Sequence, residues 1–330
     1  MINQRIEPND DRIQWTGAIS LETTEGWVRP WRIEYREKDL YHRDLVEKAA
    51  MPAGVTIEFV TDTSQVEILC NVDKERSPMD LFVDGVFHSS HPTSGRSQIK
   101  FDSLGPSKKT IQIWLPQFGV FNLTGLIIDE KACLNSPYLV DKIKWVTYGS
   151  SITQCRQAAS PSLSWPSLVA VQNNLELTCL GYGGQCHLDP LIATTIGNIQ
   201  ADLITLCLGI NIYGSSSLNE RTFKPGIIAF ITLIRSQHKK TPILVMSPIY
   251  STGRETVSNN VNFTLQQMRV EVRKSVETLR SKGDENVFYI NGLDIFDESL
   301  SHLLPDDLHP NTEGYSIMAK KISEFIQPYI

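Results

Sequence analysis

The stretch "VTYGSSITQC" (Val146–Cys155) decides the fold. Apolar and β-branched residues run up to a glycine, turn through two serines and enter a segment without breakers. That pattern reads as a strand, a tight turn and a helix. Glycine lets the backbone bend where a side chain would clash, and a hydroxyl just past the bend stands at the strand's carboxyl end, where open α/β sheets hold their ligands. Ser151 is therefore either a nucleophile or a helix cap, because Ser and Thr are favoured at helix starts. The rest of the chain bears on that choice.

Toward the C-terminus, apolar runs alternate with helical patterns. The runs are "KIKWVTYG", "LELTCLGYGG", "DLITLCLGIN", "PILVMSPIY" and "NVFYINGLDIF". Between them lie "PSLSWPSLVAVQNN", "PLIATTIGNI", "KPGIIAFITLIRSQH", "LQQMRVEVRKSVETLRSKG" and the closing "TEGYSIMAKKISEFI", in which Tyr315, Met318, Ile322, Phe325 and Ile326 share one helical face. Such alternation predicts a parallel sheet covered on both faces. Toward the N-terminus, from residue 12 to about residue 130, short alternating segments such as "VTIEFVTDTSQVEILCNV" and "TIQIWLPQFGVFNLTGLIID" predict an all-β sandwich or jelly-roll, with Asp84-Gly85 as a hairpin signal. "EYREKDLYHRDLVEKAA" (34–50) interrupts this texture and leaves a short helical insertion open. The turn-rich "NSPYLVD" (135–141) separates the two textures, which places a β-sandwich domain at 1–138 and an α/β domain at 139–330.

A chain of 330 residues is long for one domain and comfortable for two. With 41% hydrophobic and 21% charged residues it is an ordinary globular composition. The net charge of -6 argues against a nucleic-acid or anionic-membrane surface, so a small-molecule partner is expected. "MINQRIEPNDDRIQW" lacks the apolar core of a signal peptide, and no run approaches a membrane span, which makes cytoplasmic the expected location. The six cysteines show no CxxC spacing, and Cys179 and Cys207 lie inside apolar runs, as expected of buried free thiols without a metal.

Four short motifs fall at strand ends of the α/β half: Ser151, Gly183-Gly184, Asn211 and "LPDDLHPN" (304–311). Asp306, three positions before His309, is close enough to accept the imidazole Nδ1 proton and fix the tautomer, leaving Nε2 for the Ser151 proton. Asp307 is the rival acid, although a side chain two residues away turns back less readily. The backbone amides of Ser151 and Gly184 and the side-chain amide of Asn211 form a natural donor set for an oxyanion. Plainer readings exist for each: a turn at Gly183-Gly184, a helix cap at Asn211, and a polar loop at 304–311 with Asn311 or Thr312 capping the last helix. His187 and Cys186 lie beside Gly184 and are candidate pocket residues. Trp27 and Trp31 with Arg29 and Arg32 suggest a sugar-stacking or interface patch. "SQHKK" and "EVRKSVETLRSKG" read as solvated helix faces. The polar "YSTGRETVSNNVN" (250–262) has the length of a lid.

These motifs together resemble the SGNH hydrolases, the Gly-Asp-Ser-Leu esterase and lipase superfamily, over about 190 residues. Block one matches Gly149-Ser150-Ser151-Ile152-Thr153, block two Gly184, block three Gly209-Ile210-Asn211, and block five Asp306-Asp307-Leu308-His309. The resemblance implies a flavodoxin-like αβα domain, a catalytic set of Ser151, Asp306 and His309, and an oxyanion hole of Ser151, Gly184 and Asn211. It favours Asp306 over Asp307 and requires neither metal nor cofactor. Two positions depart from the family: Ser150 stands where an Asp is usual, and Ile212, a further candidate pocket residue, where an Asp follows the block-three Asn. The N-terminal half is similar to that of two-domain members resembling carbohydrate esterases. The expected activity is hydrolysis of a short acyl ester, acetyl above all, of a sugar or small hydroxylated metabolite. An acyltransferase with the same residues and a non-catalytic carbohydrate-binding protein are the alternatives.

Overall fold

The structure, a computed structural model, describes residues 3–138 and 140–330. It divides into two compact units, 1–141 with 159–162, and 142–158 with 163–330. The expected boundary between 138 and 139 abuts Leu139, which lies outside the described residues.

The first unit carries β1 (Asn3–Ile6), β2 (Gln14–Thr16), β3 (Ser20–Thr23), β4 (Val28–Trp31), β5 (Thr56–Thr61), β6 (Val66–Cys70), β7 (Met79–Val83), β8 (Val86–His91), β9 (Gln98–Phe101), β10 (Lys109–Trp114), β11 (Leu123–Asp129) and β12 (Leu134–Asn135). They form two antiparallel sheets, β3-β4-β11-β6-β9 with β1 on β11, and β12-β5-β10-β7-β8 with β2 on β5. Period-two patterning decides which face of each strand is inward. In β10, Ile111 and Ile113 are buried opposite Phe59 and Ile57, while Thr110 and Gln112 alternate outward. Val66, Ile68, Phe101 and Leu126 from the other sheet complete one apolar core. The Asp84-Gly85 signal forms the β7–β8 turn, both residues at positive φ (49° and 78°), as a two-residue hairpin of right-handed twist requires.

The open segment at 34–50 holds a 3-10 turn (Tyr35–Leu40) and helix α1 (Arg43–Ala49). Only Leu45 and Ala49 of α1 are buried, which accounts for its weak periodicity. Arg29 stacks over Trp27 and Trp31, and the buried Trp31 indole donates to Glu22. The excursion 159–162 also belongs to this unit: the buried Asp80 carboxylate accepts from the backbone N–H (2.9 Å) and hydroxyl (2.6 Å) of Ser162.

The second unit is a three-layer α/β domain. Its strands β13 (Lys144–Gly149), β14 (Glu176–Gly181), β15 (Leu203–Cys207), β16 (Ile243–Met246) and β17 (Val287–Ile290) are parallel, in the order β14-β13-β15-β16-β17. The connecting helices are α2 (Ser151–Gln154), α3 (Trp165–Gln172), α4 (Pro190–Asn198), α5 (Ile210–Ser215), α6 (Glu220–Arg235), α7 (Leu265–Ser281), α8 (Gly292–Ile295) and α9 (Thr312–Ile326). Helices α3 and α9 pack together, and α4, α6 and α7 form a second group. On α9, Tyr315, Met318, Ile322 and Ile326 are buried, whereas Phe325 is half-buried at the margin of that face. Chain order reverses around β13, so the carboxyl ends of β13, β14 and β15 are where such a sheet opens a crevice. Beneath it Tyr148 stacks on Phe230 (5.1 Å between centroids) and Trp145 meets Trp165 at 5.9 Å.

Candidate active site

The two serines after Gly149 divide the roles that the sequence left open. Ser150, extended at φ -86° and ψ -160°, is the N-cap of α2 and accepts from the Ile152 N–H at 3.2 Å. Ser151, the first helical residue, is thereby released from capping, and its Oγ lies 2.7 Å from His309 Nε2. The single-turn helix is held tightly. A Cβ at Gly181 would run into the backbone of Thr153 and Gln154, and the buried Trp165 indole donates to the Ile152 carbonyl at 2.9 Å.

His309 comes from the loop ahead of α9, whose N-terminus Asn311 caps by accepting from the Gly314 N–H. Asp306, not Asp307, faces it. Asp306 Oδ2 lies 2.7 Å from His309 Nδ1, and Asp306 Oδ1 accepts from the backbone N–H groups of His309 (2.7 Å) and Leu308 (3.2 Å). A carboxylate at Nδ1 assigns the ring proton to that nitrogen, so Nε2 presents a lone pair to the Ser151 hydroxyl. Burial pushes the Asp306 carboxyl up. The backbone N–H and ring of His309, with the Leu308 N–H, outweigh that effect and hold it below its ordinary value, so it stays charged.

Three donors stand at the ends of adjacent strands. Ser151 follows β13, Gly184 follows β14 and Asn211 lies in the first turn of α5, after β15. Among the described residues, no protein group takes the N–H of Ser151 or Gly184, or the Nδ2 of Asn211. Asn211 does not cap its helix, where Gly209 is the N-cap; its Oδ1 accepts from the Cys186 N–H at 3.0 Å, which turns Nδ2 the other way. Gly184 has φ +75° with open space where a Cβ would be, so backbone conformation, not crowding within the protein, favours glycine here.

The remaining candidates separate. His187 bridges Ser217 Oγ and the Gly184 carbonyl, both at 2.9 Å, and so braces the loop that carries Gly184. Cys186 and Ile212 are 1% and 0% exposed; they belong to the core, and burial pushes the Cys186 thiol up, away from nucleophilic use. A cleft that includes Ser150, the neighbour of Ser151, is lined by Ile152, Cys207, Leu208, Ile210, Pro248, Ile249, Ser251 and Leu308, while Ser151 and His309 are not among its lining residues. It is apolar and narrow, about 350 Å³ with its open mouth, and wide enough at its core for only a water-sized group. A shallower depression around Gln266, Arg273 and Tyr289 shares no residue with it.

Other contacts had no local sequence signal. Gln154 Oε1 accepts from the Gly183 N–H at 2.8 Å, and Ser251 and Arg254 both donate to the Asp307 carbonyl. Their partners lie tens of residues away, so no spacing rule points to them. The segment 250–262, expected as a lid, is bonded at several points: Asn259 Nδ2 donates to the Tyr213 carbonyl and Tyr213 Oη to the Val257 carbonyl. Among the described residues no helix is long and apolar enough to cross a membrane, and no group of three potential ligands could hold a metal ion.

Residues 142–327 match the model of the GDSL-like Lipase/Acylhydrolase family, and residues 13–124 match that of the SsfX3 N-terminal domain. The salicylyl-acyltransferase SsfX3 from a tetracycline biosynthetic pathway superposes with a TM-score of 0.90 at 28% identity, over 99% of this chain and 97% of that one. A family two carbohydrate esterase from Clostridium thermocellum gives 0.72 at 12% identity, over 96% and 98%. An acetyl xylan esterase from Butyrivibrio proteoclasticus gives 0.64 at 13%, over 99% and 98%, and these two share the fold alone. No curated protein sequence matches. The hydrogen-bonded serine and histidine at the end of a 2-1-3-4-5 parallel sheet and the match over most of the α/β unit lead to one conclusion: this chain belongs to the GDSL-like lipase/acylhydrolase family, the SGNH hydrolases.

Proposed function

We propose that the protein is a serine esterase that hydrolyses a short acyl ester of a small hydroxylated molecule. The unbroken chain from Ser151 Oγ through His309 to Asp306, with both links at 2.7 Å, carries this reading. His309 Nε2 takes the hydroxyl proton as Oγ attacks the ester carbonyl. The resulting oxyanion lies against the N–H groups of Ser151 and Gly184 and the Asn211 amide. His309 then returns the proton to the departing alcohol, and an acyl-serine remains. Water, deprotonated by the same nitrogen, releases the carboxylic acid and restores the serine. Asp306 holds the Nδ1 proton throughout and offsets the imidazolium charge. The fold shared with a carbohydrate esterase and an acetyl xylan esterase supports a small acyl group such as acetyl and a sugar-like alcohol.

One observation favours a second reading. The similarity to a salicylyl-acyltransferase spans nearly the whole of both chains, so an acceptor alcohol or amine in place of water is the alternative fate of the acyl-serine. Both are tested with p-nitrophenyl esters of increasing acyl length, with and without added alcohols and amines, on the wild type and Ser151→Ala. Fastest release from acetate, loss in the alanine variant and free acid as product support the esterase. Acyl-acceptor conjugates formed at the expense of acid support the transferase. Equal rates for wild type and Ser151→Ala reject both.

A further inference from the structure

We infer that Ser251 and Arg254 form a clamp that positions Asp306, and through it His309, by gripping the peptide between Asp307 and Leu308; this rests on the reading of Ser151, His309 and Asp306 as one catalytic chain. Asp307 has φ +61°, a left-handed conformation that Asp adopts more readily than most residues with a Cβ, though at some cost. On one side of that peptide, the Asp307 carbonyl accepts from Ser251 Oγ at 2.8 Å and from Arg254 Nη1 at 2.9 Å. On the other, the Leu308 N–H of the same peptide donates to Asp306 Oδ1. The plane is thus fixed at both ends, and its amide proton aims at the carboxylate that faces His309. A cationic donor on the carbonyl polarises the peptide and strengthens the N–H as a donor.

The clamp is itself anchored. Arg254 Nη1 also donates to Ser251 Oγ and to the Thr252 carbonyl, both at 3.1 Å. Glu255 Oε1 accepts from the Ser251 N–H at 3.1 Å and from Arg269 Nη2 at 2.7 Å. Arg269, on α7 and 6% exposed, reaches on to the carbonyls of Pro248 and Ile249. A polar path therefore runs from α7 to the catalytic loop. Neither Ser251 nor Arg254 hydrogen-bonds to Ser151 or His309, so both are positioning residues.

Steady-state kinetics on a p-nitrophenyl ester, with melting temperatures, test this on Arg254→Met, which keeps most of the stem without the donors, Arg254→Lys, which keeps a charged donor, and Ser251→Ala. Removing either donor is expected to lower kcat about tenfold, the scale of one hydrogen bond to a charged partner, with KM within about twofold. Arg254→Lys should recover most of the loss, and Arg254→Met should melt within a few degrees of the wild type. Unchanged kcat in Arg254→Met, a loss confined to KM, or no recovery with lysine overturns the clamp. If Ser251→Ala does not fold, the half-buried Arg254 carries the test alone. Asp306→Asn separates the two levels: full activity there rejects the catalytic reading and the clamp with it. An impaired Asp306→Asn beside a normal Arg254→Met rejects the clamp only.

Discussion

Replacing Asp306 by Asn tests the orientation of His309 without changing the shape of the loop. Two backbone N–H groups, at 2.7 and 3.2 Å, hold Asp306 Oδ1, so the amide oxygen of an Asn stays there and its NH₂ takes the Oδ2 position, 2.7 Å from His309 Nδ1. Two N–H donors cannot face each other at that distance, so the ring moves its proton to Nε2. Ser151 then meets an N–H in place of a base. Losing a correctly held base costs about 10² to 10⁴ in rate, or roughly 3 to 5.5 kcal/mol of transition-state stabilisation. The Asp306 side chain is 44% exposed, so water can meet part of the orphaned hydrogen bonding, and the lower end of that range applies if it does. The assay is initial-rate hydrolysis of p-nitrophenyl acetate at neutral pH, on protein whose melting temperature and circular dichroism match the wild type. A fall in kcat of less than about tenfold would refute the argument, because the tautomer would then not be set by this carboxylate.

Other consequences are open to direct measurement. Gly184→Ala places a Cβ on a φ of +75°, at a cost of about 1 kcal/mol in stability, and turns a candidate oxyanion donor, so kcat should fall more than the modest drop in melting temperature suggests. Thiol reagents at pH 8 should leave hydrolysis of p-nitrophenyl acetate intact, since burial pushes the Cys186 thiol up and that of the half-buried Cys207 to about 12; rapid inactivation in step with modification of Cys186 would contradict its place in the core. Arg269→Ala leaves the Glu255 carboxylate without its buried partner and should destabilise the fold by about 3 kcal/mol in urea titration, whereas a change below about 1 kcal/mol would mean that water replaces the arginine. Asp306 is held below its ordinary value, so its charged form adds stability that is complete above about pH 4 and lost as pH falls through the lower folded value. The melting-temperature gap between wild type and Asp306→Asn should therefore shrink from pH 6 to pH 2.5, and a gap that widens would reverse the sign.

The α/β half was legible because burial on both faces of a parallel strand requires near-continuous apolar runs. "DLITLCLGIN" can hardly be anything but a central strand, and the same texture marks β13 to β17. The sandwich was legible through period two and through Asp84-Gly85, whose backbone demands are local. Local rules also reached Asp306 and His309, because a carboxylate three residues from an imidazole closes a ring within one loop. They stopped at the serines. Adjacent hydroxyls have the same local chemistry, and only the turn of α2 against β14 decides that Ser150 caps and Ser151 meets a histidine 158 residues away. Cys186 and Ile212 stand next to Gly184 and Asn211 in their motifs, yet the helical and loop geometry directs them into the core. The cleft wall and the Ser251–Arg254 hold on Asp307 join segments that no spacing connects. The sequence by itself determined which chemical groups arrive at the end of each strand, since that follows from local patterning. Tertiary structure alone decided which of them touch, because distance in space between loops depends on strand order and packing, not on distance along the chain.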